Sequence, residues 1–106
     1  MDETPRRTYV LRLYVTGTTA RSVHAISNAR RICDAHYTDD YELEVIDLYQ
    51  HPEAAREHQI IAAPTLVKIM PGPIRRIIGD LSDEPRALEA LGIVQRKSTN
   101  RTGKDD

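Results

Sequence analysis

Hydrophobic and polar residues follow distinct periods along the chain, and the first two blocks predict a strand and a helix. Thr8 to Val15 is mostly apolar on both faces and rich in β-branched and aromatic side chains, as in a central strand. Ala20 to Tyr37 predicts an amphipathic helix with Thr18 or Thr19 at its N-cap. The apolar face of this helix recurs at three- and four-residue steps and comprises Ala25, Ile26, Ala29, Ile32, Cys33 and His36.

The next block predicts a second strand and a short helix. Tyr41 to Leu48 is strand-like, and its first half alternates apolar residues with Glu42 and Glu44, so we expect an exposed face or edge there. A strand, a helix and a strand in this order predict a parallel pair joined by a crossover. Pro52 to Gln59 predicts a short helix, since proline is tolerated at the first helical position.

The densest apolar run lies within Ile60 to Asp83 and predicts a hairpin. Thr65 to Met70 and Ile74 to Ile78 are expected to be strands, and the turn Pro71-Gly72-Pro73 makes them antiparallel neighbours. Ser82 is the predicted N-cap of a last helix. The apolar stripe of that helix comprises Ala87, Leu88, Leu91 and Val94.

The fold class that follows is α/β, with the order β-α-β-α-β-β-α of the thioredoxin-like arrangement. Ala63-Pro64-Thr65-Leu66 resembles the thioredoxin signature in which a cis proline precedes a strand, so Pro64 is predicted to be structural. Gly79 and Asp80 are also expected to be structural, because they end the second hairpin strand.

Length and composition predict one small domain. The chain has 106 residues, of which 40% are hydrophobic, and it has no tryptophan or phenylalanine, so the core should be aliphatic with a few tyrosines. We place the domain at residues 8–95. Residues 1–7 are expected to be a flexible N-terminus and residues 96–106 a disordered tail.

Charge and hydropathy narrow the function classes. Fifteen basic residues are balanced by 16 acidic ones, which argues against a general nucleic-acid binder. No apolar run approaches the roughly 20 residues of a membrane helix, and the first residues lack a signal-peptide pattern. The expectation is a cytoplasmic protein with neither nucleic acid nor membrane as a partner.

The residues required for thioredoxin chemistry are missing. Where a thioredoxin has Cys-x-x-Cys, this chain has Thr18-Thr19-Ala20-Arg21, so no thiol can attack or resolve a disulfide. We interpret the one cysteine, Cys33, as a small core residue, with a reactive thiol as the alternative. His51 and His58 have no third ligand in register for a metal site. No enzymatic activity and no cofactor are predicted.

Basic residues on the predicted hairpin are candidates for binding a partner. A strand period of two points Arg75 and Arg76 to opposite faces, so Lys68 and one arginine can form a small basic patch. The alternative is that these charges only solubilise the hairpin.

The chain resembles the KaiB family of the bacterial circadian clock from about Thr8 to Val94. A thioredoxin-like sensor domain of clock-linked histidine kinases is a relative of that family. The resemblance rests above all on Arg75-Arg-Ile-Ile-Gly-Asp-Leu-Ser-Asp83. Further matches are Thr8-Tyr-Val-Leu-Arg-Leu-Tyr-Val15, Gly17, Val45-Ile-Asp47, Pro52, Ala63-Pro-Thr-Leu66 and Lys68.

The resemblance implies a non-enzymatic regulator that binds the N-terminal lobes of the ring-shaped ATPase KaiC and opposes KaiA, so that KaiC dephosphorylation is favoured. Lys68, Arg75 and Arg76 would supply charge complementarity, and the strand with Glu42 and Glu44 would pair or pack at its edge. The resemblance also implies a second fold, a ground state with a rearranged C-terminal half that assembles as a homodimer or homotetramer. Switching would involve about residues 51–94.

Departures from the family pattern leave alternatives open. Ala90 stands where the family commonly has glycine. Alanine at this position favours helix over glycine by up to ~1 kcal/mol. We therefore hypothesise that the thioredoxin-like state is more populated here than in clock members, and an NMR spectrum of mostly the rearranged fold would contradict this. His24 replaces a family arginine, and Gln95-Arg96-Lys97 replaces an acidic end, so a stress-response or simplified timing role is open. A signalling adaptor that docks on a histidine kinase or stress regulator is the second hypothesis, and a thiol oxidoreductase is the least favoured.

Overall fold

The computed structural model describes residues 8–37 and 40–93, and within them the predicted order of elements is confirmed. The predictions for residues 1–7, Val94 and residues 96–106 lie outside the described residues. The elements are β1 (Tyr9–Val15), α1 (Ala20–His36), β2 (Tyr41–Asp47), a 3₁₀ helix (Pro52–Arg56), β3 (Thr65–Met70), β4 (Arg75–Ile78) and α2 (Glu84–Leu91).

One four-stranded sheet organises the domain, in the order β2-β1-β3-β4. Strand β1 runs parallel to β2, as the strand–helix–strand order predicts, and antiparallel to β3. Strands β3 and β4 form the predicted antiparallel hairpin. The sheet therefore has β2 and β4 as its edge strands and β1 and β3 at its centre.

The two faces of the sheet are covered differently. Both helices pack on one face, which we call the helix face, and form the main core there. Its members are Leu11, Leu13, Val15, Ala25, Ala29, Ile32, Cys33, Tyr37, Leu66, Leu81, Ala87, Leu88 and Leu91. On the opposite face, which we call the 3₁₀ face, a smaller cluster joins Tyr14, Ala54 and Val67. The expected aliphatic core with a few tyrosines is confirmed.

Side-chain caps define where the helices begin. The Thr19 hydroxyl accepts a hydrogen bond from the Ser22 N–H at 3.3 Å, so Thr19, one of the two predicted residues, is the N-cap of α1. The prediction that Ser82 caps the last helix is wrong. Asp83 is the N-cap, because its carboxylate accepts from the Arg86 N–H at 3.4 Å.

Two other predictions change in detail. The second helical segment is a 3₁₀ helix over Pro52–Arg56 and does not continue as helix to Gln59, which has a positive φ of 55°. His36, assigned to the apolar face of the first helix, is exposed, whereas Ser22 is buried on that face. Ser22 is accommodated there because its Oγ accepts from the Thr16 N–H at 3.1 Å.

The loop before β3 is tied to the end of β4. The Ala63-Pro64 peptide is cis, as are Met70-Pro71 and Gly72-Pro73. The Gly79 N–H donates to the Pro64 carbonyl at 2.8 Å, and Gly79 takes a φ of 119° that favours glycine. The next residue, Asp80, accepts at its carboxylate from the Ser82 N–H at 3.1 Å. These contacts turn the chain out of the sheet and toward α2.

Candidate functional site

The sheet separates the basic residues that were predicted to bind a partner. Val67 belongs to the cluster on the 3₁₀ face, so its neighbour Lys68 lies on the helix face. Arg75 is the cross-strand partner of Lys68 and shares that face, whereas Arg76 is paired with Val67 and lies on the 3₁₀ face. The structure therefore brings Lys68 together with Arg75 and separates both from Arg76.

Lys68 lies next to one arginine, as predicted, but it is buried and adds little exposed positive charge. Lys68 is 5% exposed, because the hairpin turn folds back over its side chain. Its Nζ donates a hydrogen bond to the Pro71 carbonyl at 2.7 Å. Burial, and then the charge of Arg75, lower the pKa of Lys68. The ammonium group is thus held under the turn, and Arg75 is the more accessible of the two cations.

A cavity of about 370 Å³ lies beside this pair. We call it the hairpin cavity; it is bounded by the turn at residues 71–73, by the start of β1 and by the C-terminal ends of α1 and α2. Lys68, Arg75, His36 and Tyr37 contribute polar groups to its lining. None of the described residues that line it carries a carboxylate.

Tyr37 was not singled out in the sequence as a site residue. Its ring stacks on Tyr9, with ring centroids 4.0 Å apart and planes 12° apart. Its hydroxyl is buried and has no hydrogen-bond partner in the described part of the chain. Burial raises the pKa of Tyr37. Tyr37 is the last residue of the predicted amphipathic helix, but nothing in the local sequence indicates that its hydroxyl lacks a partner among the described residues.

The acidic candidates lie on edge strand β2. Glu42 and Glu44 are exposed and lie on the 3₁₀ face, since Ile46 two residues on packs against the cluster of that face. Arg12 on the neighbouring strand pairs through Nε with Glu44 at 3.3 Å and through Nη1 with Glu57 at 3.0 Å. Glu44 is thus held within a small charge network, while Glu42 is exposed on the same face of the edge strand.

A second depression, of about 600 Å³, lies between β4 and α2. Arg76 lines it together with Arg21, Arg86, Asp80 and Asp83, so acidic and basic groups meet there. Hydrogen bonds from Ser82 lower the pKa of Asp80. This surface has mixed charge, in contrast to the hairpin cavity.

Cys33 and the histidines show no arrangement for chemistry. Cys33 is 1% exposed, and burial raises its pKa to about 12. His58 lies with its ring centroid 6.5 Å from that of Tyr14. Within residues 8–37 and 40–93, no group of three or more His, Cys, Asp or Glu side chains could hold a metal ion. Neither α1 nor α2 has the length and apolar character needed to cross a bilayer.

Comparison with known families gives a clear match. A family model described as the KaiB domain matches residues 12–93. The chain is 48% identical over 90 residues to the circadian clock oscillator protein KaiB of Synechococcus sp. (strain RCC307), covering 85% of this chain and 82% of that relative. It is 46% identical over 90 residues to the protein of the same name from Synechococcus elongatus (strain ATCC 33912 / PCC 7942 / FACHB-805), covering 85% and 88%.

Solved structures support the fold. The N-terminal domain of Synechococcus elongatus SasA is similar with a TM-score of 0.69 and 24% identity, covering 94% of this chain and 96% of that one. Mitochondrial thioredoxin 3 from Saccharomyces cerevisiae, in its oxidized form, gives a TM-score of 0.62 with 22% identity, covering 83% and 78%. The predicted thioredoxin-like fold is therefore confirmed.

Proposed function

The chain belongs to the KaiB family, and on this basis we propose that it is a non-enzymatic clock regulator that binds a KaiC-type ATPase ring and modulates the phosphorylation and ATPase cycle of that ring. The observation that carries the proposal is the KaiB-domain match over residues 12–93. The 48% identity to a circadian clock oscillator protein supports it. KaiA and a clock-linked histidine kinase are further partners under this proposal, and a cytoplasmic location stays a prediction.

The thioredoxin-like fold does not bring thioredoxin chemistry with it. Residues Thr18 to Arg21 replace the pair of cysteines at the start of α1. The single thiol, Cys33, is enclosed in the main core with a raised pKa, so the thiolate that attacks a disulfide is scarce at neutral pH. These features support a regulator that acts by binding.

The surface that we assign to the ATPase ring follows from which charges are exposed. Arg76 is exposed on edge strand β4, and Ile78 on the same face is 62% exposed, so a cation and an apolar side chain lie together. Glu42 and Glu44 mark the opposite edge strand, β2, whose outer backbone groups pair with no other described strand and can pair with a partner strand. Arg75 adds its partly exposed charge to the surface that binds the ring. Lys68 contributes to that surface indirectly, because it holds the hairpin turn through its hydrogen bond to Pro71.

The test is a native mass measurement of this protein mixed with the KaiC homologue of the same genome. Variants of that ATPase that mimic each phosphorylation state are included. A defined complex with at least one state is expected. No complex with any state, from protein whose NMR spectrum shows the thioredoxin-like fold, would contradict the proposal and favour the adaptor hypothesis.

The second fold and the assemblies that go with it stay predictions. A homodimer or homotetramer is expected if the C-terminal half rearranges, and a monomer if the thioredoxin-like state predominates. The same native mass measurement, made without the ATPase, reports this oligomeric state. A tetramer as the main species would contradict the hypothesis that Ala90 shifts the population toward the thioredoxin-like state.

A further inference from the structure

We propose that the hairpin cavity is a binding site for a phosphate group, either as inorganic phosphate or carried by a small organic molecule. The residues that line the cavity include two cations and a tyrosine whose buried hydroxyl has no hydrogen-bond partner among the described residues. This inference concerns the helix face of the sheet and does not depend on the proposed binding of an ATPase ring.

Uncompensated positive charge is the first argument. Lys68 and Arg75 are cross-strand partners, and the charge of Arg75 contributes to the lowered pKa of Lys68. In the described part of the chain, Arg75 makes no ion pair, and Lys68 Nζ donates only to the Pro71 carbonyl. Two like charges side by side, one of them buried, are stabilised when an anion binds between or beside them.

The negative ends of the two helices offset only part of the positive charge of Lys68 and Arg75. The C-terminal residues of both α1 and α2 line the cavity, and each helix end carries about half a negative charge. Together they offset roughly one of the two cations. The last carbonyls of α2 are also engaged, since Leu88 accepts from the Ile93 N–H at 2.9 Å and Glu89 from the Gly92 N–H at 3.0 Å.

The second argument is the Tyr37 hydroxyl. Tyr37 is 5% exposed, lines the cavity, and has no hydrogen-bond partner for its hydroxyl among the described residues. Buried polar groups are paired in the great majority of cases, so an unpaired donor on a residue that lines a cavity points to a ligand close by. An ammonium, a guanidinium and a phenol are all donors, and the complementary ligand is an acceptor such as a phosphate oxygen.

The size of the cavity fits this class of ligand. Its volume of about 370 Å³ exceeds that of a single phosphate group and lies in the lower range of small-molecule sites. His36 also lines it and is exposed, which leaves a path from solvent. The stacked rings of Tyr9 and Tyr37 both line the cavity and offer apolar surface for an organic portion.

The experiment is an NMR titration of the full chain with inorganic phosphate at constant ionic strength, with chloride as the matched anion. We expect saturable shifts of the Tyr37, Gly72 and Gly92 amides with a Kd of about 1 mM or tighter. Arg75→Gln should weaken binding by at least about tenfold. Arg76→Gln, one residue along on the opposite face, should leave the Kd unchanged.

Tyr37→Phe distinguishes a binding role from a structural one. It should weaken phosphate binding several-fold, while the melting temperature without phosphate stays the same or rises, because the hydroxyl has no hydrogen bond to a described residue that could be lost. A parallel titration with glycerol 3-phosphate separates the two ligand sources: tighter binding than inorganic phosphate identifies a small organic phosphate. Absence of saturable shifts, or equal shifts in the Arg75→Gln variant and the unmodified chain, would overturn the proposal.

Discussion

Gly92 lies directly against Arg75. Gly92 is the C-cap of α2 with a φ of 79°, and a β-carbon added there would lie 3.0 Å from Nε and 3.1 Å from Cζ of Arg75. The glycine therefore serves two needs, since it takes a left-handed conformation and leaves room for the guanidinium. This contact joins the end of the last helix to strand β4.

We expect Gly92→Ala to lower the free energy of unfolding by about 1–2 kcal/mol, because alanine is strained in the left-handed region and must displace Arg75. Urea unfolding measures the change. Gly72→Ala is the matched control: nothing lies within 4 Å of its added β-carbon, so a change within about 0.5 kcal/mol is expected. Equal losses in both variants would contradict the role assigned to Gly92.

The N-cap of α2 gives a second prediction. Asp83→Ala removes the acceptor for the Arg86 N–H and should cost about 1 kcal/mol of stability. Ser82→Ala should cost less, since the Ser82 hydroxyl does not cap the helix and loses only a solvent-exposed hydrogen bond to the Asp80 carboxylate. Urea unfolding of both variants tests this, and a larger loss for Ser82→Ala would restore the assignment made from the sequence.

The positive charge of Arg75 predicts a change in the pKa of Lys68. Arg75→Gln should raise the pKa of Lys68, because it removes a neighbouring positive charge. Arg76→Gln should not, since Arg76 lies on the other face. Lysine side-chain NMR signals followed against pH measure the shift. An unchanged Lys68 pKa in Arg75→Gln would show that burial alone sets it.

The same shift has a consequence for stability. A lowered lysine pKa means that the unfolded chain binds this proton more tightly than the folded one. Lys68 therefore contributes a rise in stability as pH increases toward the ordinary lysine pKa of 10.5. Between pH 8 and 10.5, Arg75→Gln should show a smaller rise than the unmodified chain, and an equal rise would contradict the linkage.

Cys33 should react slowly with thiol reagents. It is 1% exposed and its pKa is raised to about 12, so both access and thiolate are limited. We expect alkylation at pH 8 to be at least about 100-fold slower in the folded chain than in urea. The rate is followed by mass spectrometry. Comparable rates in both states would favour the alternative of a reactive thiol.

The proposed binding to an ATPase ring predicts a kinetic effect. Arg76→Gln should slow association by about two- to tenfold with little change in dissociation, because an exposed charge acts mainly by steering. Rates measured by biolayer interferometry at low and high salt test this. Arg30→Gln, an exposed arginine on α1, is the control. An effect of Arg76→Gln that persists at high salt would indicate direct contact.

Local sequence patterns were sufficient for much of the fold. The strand period placed Arg75 and Arg76 on opposite faces, and the tight turn between β3 and β4 required antiparallel pairing. The sequence did not decide which residue caps the last helix, because Ser82 and Asp83 are adjacent and both are good capping residues. The structure assigns the cap to Asp83, and the turn just before it is tied to the loop at Pro64 by the hydrogen bond from the Gly79 N–H.

The sequence by itself determined the order of elements, the missing pair of cysteines and the family, because these depend on residue types and their spacing along the chain. Only the tertiary structure decided that Lys68 is buried while Arg76 is exposed. It also decided that Tyr37 and Arg75 line one cavity, with the Tyr37 hydroxyl lacking a hydrogen-bond partner in the described part of the chain. The physical reason is that burial of a charge and loss of a hydrogen-bond partner arise where distant segments close over one another. Here those segments are the hairpin turn and the ends of α1 and α2, and no local pattern records how closely they meet.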